Sequence, residues 1–182
     1  LGDDLPRVAY VAGHSLGEFS ALAVSGALTF EDGLRLVRAR GVAMRDSGTL
    51  APGGMAAILG LDDDAVARIV ADASDGSRVW VANLNSPGQV VIAGEHEALR
   101  RALALAVERG AKRAVPLPVS VACHTPLMGP AAERLATALE TTPIARPLTP
   151  VVSNATARPT SDPAEIRANL LRQLTGPVRW VE

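Results

Sequence analysis

The chain has 182 residues, 48% of them hydrophobic, and a formal net charge of −1. That length and apolar content allow a sizeable buried core, and the balanced charge excludes nucleic acid or an anionic membrane as a partner held by bulk electrostatics. Cys123 is the single cysteine, which excludes an intrachain disulfide and a cysteine metal cluster.

The first signal in chain order is an apolar run, Val8-Ala9-Tyr10-Val11-Ala12, suited to a buried strand. It ends in Gly13-His14-Ser15-Leu16-Gly17, a match to the G-x-S-x-G nucleophile elbow, and Leu16 to Ala27 reads as the helix behind it. Such a turn strains its central serine and exposes Oγ, and a side chain at Gly13 or Gly17 is expected to crowd the strand–helix crossing. The Leu16 N–H, at the start of the helix, is a candidate oxyanion donor. A glycine-rich turn with a capping serine has the same local sequence, but the strand before it and the helix after it favour Ser15 as a nucleophile.

Thr29-Phe30-Glu31-Asp32 resembles a capping box and opens a helix to about Arg45, with Leu34, Val37, Gly41 and Met44 as its buried stripe. Arg40 and Arg45 flank that stripe and Arg35 lies opposite; helical geometry does not choose between the first two. Ser47 to Gly54 reads as a connector. Strands are expected over Met55–Leu61, Val79–Ala82, Gln89–Ala93 and Lys112–Leu117. Between them lie two amphipathic helices, one buried through Val66, Ile69, Val70 and Ala73 and the other through Leu99, Ala102, Leu103 and Ala106. This β-α-β-β-α-β order is that of the ferredoxin-like unit and predicts an inserted subdomain at 47–118. The rest, 1–46 and 119–182, forms the main body. There an apolar strand over Val119–Thr125 leads into a helix from Pro126 to Glu140, Thr149–Ser153 is a short strand, and Asp162-Pro163 caps a last helix.

A serine nucleophile needs a base, and three histidines are available. His96 lies in a charged first turn and reads as solvated. His14 adjoins Ser15 at a sharp turn and reads as packing or orienting. His124 stands at a strand exit, where catalytic groups of α/β sheets collect, and is the candidate base. Cys123 beside it reads as lining the pocket. No acidic residue lies between His124 and Glu133, so a carbonyl or amide is as suitable as a carboxylate for orienting the imidazole. The chain opens on Leu1 and stops after Trp180-Val181-Glu182, which reads as a piece of a longer protein. With no apolar run near the length of a membrane span and no signal peptide, a soluble cytoplasmic protein is expected.

Several of these stretches together resemble the malonyl-CoA:acyl carrier protein transacylase family. They are Gly13-His14-Ser15-Leu16-Gly17-Glu18 with Ser20-Ala21-Leu22, and Asn83-Leu84-Asn85-Ser86-Pro87-Gly88-Gln89 through Gly94. Pro116 to Val121 leading to His124, and Arg172-Gln173-Leu174 before Pro177-Val178-Arg179-Trp180, complete the set. The resemblance implies an α/β-hydrolase-like core with a ferredoxin-like insert. It implies that Ser15 carries the malonyl group, that His124 is its base, that Arg40 holds the malonyl carboxylate, and that the Gln173 main-chain carbonyl orients the imidazole. His14, Asn85 and Cys123 are candidates for a supporting layer. The substrates implied are malonyl-CoA and phosphopantetheinylated acyl carrier protein, with no cofactor or metal, and a monomer at full length. The family's N-terminal Gly-Gln-Gly loop and C-terminal Gly-Pro-Gly turn have no counterpart here, and Cys123 stands where the family usually has serine. A polyketide synthase acyltransferase domain, a thioesterase-like serine hydrolase and a non-catalytic docking fragment are the competing readings.

Overall fold

The structure is a computed structural model that describes residues 8–182, so residues 1–7 of the expected main body lie outside it. It is an α/β architecture with two hydrophobic cores meeting at a third, smaller cluster. The first core gathers α1 (Gly17–Val24), α2 (Phe30–Leu50), α5 (Gly129–Thr141) and α6 (Pro163–Thr175) around Phe19, Leu22, Leu36, Leu135 and Leu170. Local chemistry starts these helices. Thr29 accepts from the Asp32 N–H and donates its hydroxyl proton to the Asp32 carboxylate at 2.8 Å, and Asp162 accepts from the Ala164 N–H ahead of Pro163.

The second core lies under a five-stranded mixed sheet of order β4-β1-β3-β2-β7, formed by β1 (Gly54–Leu59), β2 (Val79–Ser86), β3 (Gln89–Gly94), β4 (Arg113–Pro116) and β7 (Val178–Arg179). The first four pair antiparallel, with Ala56 opposite Ile92 and Ile58 opposite Val90. Strand alternation sends Ala56, Ile58, Val90 and Ile92 onto α3 (Asp63–Ala73) and α4 (His96–Glu108). The opposite face, carrying Met55, Ala82, Val91 and Ala93, packs on Ala122, Cys123 and Leu127. The sheet therefore backs directly onto the segment that bears His124. β7, a strand the sequence analysis does not assign, runs parallel to β2 with Asn83 opposite Val178, and so ties α6 to this sheet. β5 (Val151–Val152) and β6 (Pro159–Thr160) form a separate two-stranded ladder. No described helix is long and apolar enough to cross a membrane.

Four expectations need correction. The run at Val8–Ala12 forms one parallel bridge, Val11 to Val151, with Val8 and Tyr10 exposed; with a neighbour on one side only, it is not a buried strand among the described residues. α2 continues through Ser47 and Gly48, both buried, to Leu50, where a connector was expected. Its buried stripe is Gly33, Leu36, Arg40, Ala43 and Ser47, leaving Leu34 and Gly41 exposed, because α2 is covered on the stripe's side by α1, where Gly33 faces Ala23, and by α5. Val119–Thr125 is a series of bends and turns, not a strand: Pro118 precedes it, the Val119 N–H closes a tight turn onto the Leu117 carbonyl, and His124 has a φ of 59°.

Candidate active site

The elbow is present as a strained turn. Ser15 has a φ of 53°, in the left-handed region that side chains other than glycine's adopt at a cost. Val11 anchors the approach, its N–H on the Pro150 carbonyl and its carbonyl on the Val152 N–H. Gly13 is required, since a Cβ there would lie 1.9 Å from the Gly17 carbonyl oxygen. The expectation for Gly17 fails: an added Cβ meets nothing within 4 Å, because it points away from the crossing. α1 begins just after Leu16, and the Leu16 N–H makes no hydrogen bond among the described residues, so it is free to receive an oxyanion.

The turn at Cys123-His124 brings the imidazole to the serine. His124 Nε2 lies 2.8 Å from Ser15 Oγ, and Nδ1 lies 2.6 Å from the Gln173 main-chain oxygen. A carbonyl only accepts, so Nδ1 carries the proton and the Nε2 lone pair faces the hydroxyl. Burial lowers the His124 pKa to about 4, the Gln173 carbonyl opposes that shift, and Arg40 and His14 add to it. The imidazole is thus neutral at pH 7, as a general base must be.

Arg40 comes from the middle of α2 and is 5% exposed. One guanidinium nitrogen donates to Ser15 Oγ at 2.9 Å and to Gln173 Oε1 at 3.2 Å, while the buried Nε has no partner. Burial pushes the guanidinium below its ordinary value, with Cys123 and Glu18 opposing, but arginine remains charged. Its Cζ stands over the Phe19 ring, 5.9 Å from the centroid. An open groove of about 750 Å³ runs from Arg40 between α2 and the 118–121 bends, past Met44, Gly48 and Val121.

The remaining candidates sit around this centre. His14 points away from Ser15; its Nε2 is 2.9 Å from Asn85 Oδ1 on β2, and its ring meets Trp180 edge-on at 5.4 Å. Cys123 is half-buried, and burial raises its thiol pKa while Arg40 lowers it. His96 is exposed, as its charged neighbours predict. Sequence reasoning missed Asn154, whose Oδ1 accepts the Ser15 N–H at 2.6 Å and whose Nδ2 donates to the Gly13 carbonyl at 2.9 Å. It also gave Glu18 no role. The one available signal for Asn154 was its place just after a short strand, at an edge where polar groups of α/β sheets converge. No group of three or more His, Cys, Asp or Glu is placed to hold a metal among the described residues.

A serine, a neutral histidine held by a carbonyl and a buried guanidinium on the same oxygen are equipped for acyl transfer through an ester. Residues 2–180 match the acyl transferase domain model. The chain belongs to that family. Among acyl transferase relatives, it is 48% identical over 174 residues to a malonyl CoA-acyl carrier protein transacylase of Salmonella typhimurium, covering 96% of this chain and 56% of that protein. The structure of such a transacylase from Coxiella burnetii superposes with a TM-score of 0.94 at 44% identity, over 97% of this chain and 56% of the other. A malonyl-transacylase in complex with its type II polyketide synthase acyl-carrier protein superposes at 0.92 with 44% identity, covering 96% of this chain and 57% of that one. The chain spans about half the length of the curated relatives it matches.

Proposed function

We propose that this chain carries the acyl-transfer centre of a malonyl-CoA:acyl carrier protein transacylase. The observation that carries the reading is the convergence of Arg40 and His124 Nε2 on one oxygen, Ser15 Oγ, at 2.9 and 2.8 Å. His124 takes the hydroxyl proton as Oγ bonds to the thioester carbonyl carbon of malonyl-CoA. The oxyanion rests on the Leu16 N–H, the C–S bond breaks, and the CoA thiolate leaves with the proton from His124. The phosphopantetheine thiol of the carrier then gives its proton to His124 and attacks the malonyl ester, and the proton returns to Ser15. A base in this position contributes on the order of 10²–10⁴ in rate and an oxyanion donor ~10²–10³. Malonate's free carboxylate lies two bonds beyond the attacked carbonyl carbon, within reach of a guanidinium that already touches Oγ, and an arginine fork suits it. The transfer needs no cofactor, since nucleophile, base and clamp are side chains of the chain itself.

The same proposal includes an α/β-hydrolase-like core, 1–46 with 119–182, and a ferredoxin-like insert at 47–118. The β4-β1-β3-β2 order and the separate core over α3 and α4 support the insert. The carrier-complexed relative supports an acyl carrier protein as partner. The test is intact-mass measurement after incubation with malonyl-CoA, in the protein carrying this chain at its natural length. The expected result is one malonyl group on wild type and none on Ser15→Ala, discharged by holo-acyl carrier protein faster than by water. Rapid release of free malonate overturns transfer in favour of hydrolysis, and no adduct overturns the catalytic reading.

A further inference from the structure

Glu18 is the only acidic side chain that is buried among the described residues, and no step of the proposed transfer uses it. Its Oε2 accepts two hydrogen bonds, from Gln173 Nε2 at 2.7 Å and from the Asn154 backbone N–H at 3.1 Å. Those donors belong to the two residues that grip the strained backbone of Ser15. Asn154 Oδ1 takes the Ser15 N–H, and Gln173 Nε2 also donates to the Ser15 carbonyl at 3.0 Å. Gln173 at the same time presents its main-chain oxygen to His124 and its Oε1 to Arg40. An amide has one donor end and one acceptor end. With a carboxylate on one side and a guanidinium on the other, only one orientation satisfies both; a flipped amide would face NH₂ to Arg40 and oxygen to Glu18. Burial raises the carboxyl pKa of Glu18, and the bonds from Gln173 and Asn154 oppose that shift.

We infer that Glu18 is a positioning residue whose single carboxylate oxygen anchors both grips on Ser15 and keeps Gln173 in register with His124 and Arg40. The inference rests on the reading of Ser15 as the nucleophile. A simpler role, favourable charge in the first turn of α1, predicts an effect on stability alone.

The experiment compares Glu18→Met, which fills the same space without an acceptor, with Glu18→Gln, which keeps one. Two rates are read in the full-length protein: malonyl transfer, and labelling of Ser15 by phenylmethanesulfonyl fluoride, which needs an activated serine but no malonyl group. Glu18→Met is expected to lower kcat and the labelling rate together by about ten- to a hundredfold, with the KM for malonyl-CoA within about threefold, since small displacements at a reacting centre cost this much. Glu18→Gln is expected to stay within about threefold of wild type on both. Labelling of folded Glu18→Met within twofold of wild type overturns the inference, and so does a Glu18→Gln as impaired as Glu18→Met. If Glu18→Met does not fold, Glu18→Asp, which draws the carboxylate away from both donors, is read by the same criteria; failure of both to fold leaves a purely structural carboxylate and overturns it. A wild type that labels but accepts no malonyl group refutes the malonyl reading, while the labelling ratio still decides on Glu18. A wild type that does neither overturns both.

Discussion

Arg40 is buried with one nitrogen spent on Ser15 and Gln173 and another left without a partner. A desolvated cation with unused donors favours an acyl group that brings a carboxylate, because each charge-assisted hydrogen bond is worth about 1.5–3 kcal/mol. Arg40→Ala is therefore expected to lower the malonyl-to-acetyl transfer ratio by about two orders of magnitude or more. Arg45, whose guanidinium is exposed and paired with Asp46, serves as the control, and Arg45→Ala should leave the ratio unchanged. Competition assays with malonyl-CoA and acetyl-CoA read the ratio directly; an unaltered ratio in Arg40→Ala would refute the clamp. Helical spacing put Arg40 and Arg45 on equal terms. What separates them is the direction in which α2 turns its small residues: Gly33, Ala43, Ser47 and Gly48 let the helix lie close, and Arg40 shares their face.

At the scale of elements, the elbow is a joint whose two glycines are not equivalent. A Cβ at Gly13 collides with the Gly17 carbonyl, which is backbone at the first turn of α1 and cannot move without shifting the helix. Gly13→Ala should cost about 1–3 kcal/mol or more and displace Ser15 from His124. Gly17 has open space in place of a Cβ and an ordinary helical position, so Gly17→Ala should be neutral or stabilising by up to about 1 kcal/mol. Thermal melts of the two variants check both signs, and equal destabilisation would contradict this geometry. The motif alone treats both glycines as signature residues. It does not say which of them faces the crossing, since that depends on the angle at which α1 leaves the turn.

At the scale of the molecule, burying His124 between the sheet's second face and α6 links stability to pH. The folded imidazole titrates at about 4, below its ordinary 6.5. The unfolded chain therefore binds a proton first as pH falls. The contribution is fully present above about 6.5 and is lost progressively toward about 4, amounting to about 3 kcal/mol across that window. Glu18 acts in the opposite sense, because its raised pKa favours the neutral carboxyl and its contribution declines as pH rises above the ordinary carboxylate value. Subtracting the profile of a His124→Asn variant isolates the histidine. Urea unfolding between pH 4 and 7 should show wild type losing more stability on acidification than that variant; parallel curves would mean the imidazole is not held neutral by burial.

Local sequence determined much of this protein. Caps at Thr29 and Asp162 start helices where the side chains predict them, the alternation in β1 and β3 assigns their two faces, and the elbow names Ser15 as the candidate. The choice of His124 followed from having three histidines, two of them in unsuitable neighbourhoods. These are properties of a few adjacent residues, which a linear pattern records. Tertiary structure alone decided the rest: that Arg40 lies inside the stripe, that His124 reaches Ser15 from a turn instead of a strand, and that β7 joins β2. It also decided that Asn154 accepts the Ser15 N–H and that Glu18 accepts from Gln173, through hydrogen bonds spanning 139 and 155 residues. Periodicity describes one element's own faces. The partner each polar group finds across such distances depends on how whole helices and sheets pack, and that packing is what sets the orientation of the Gln173 amide between Glu18 and Arg40.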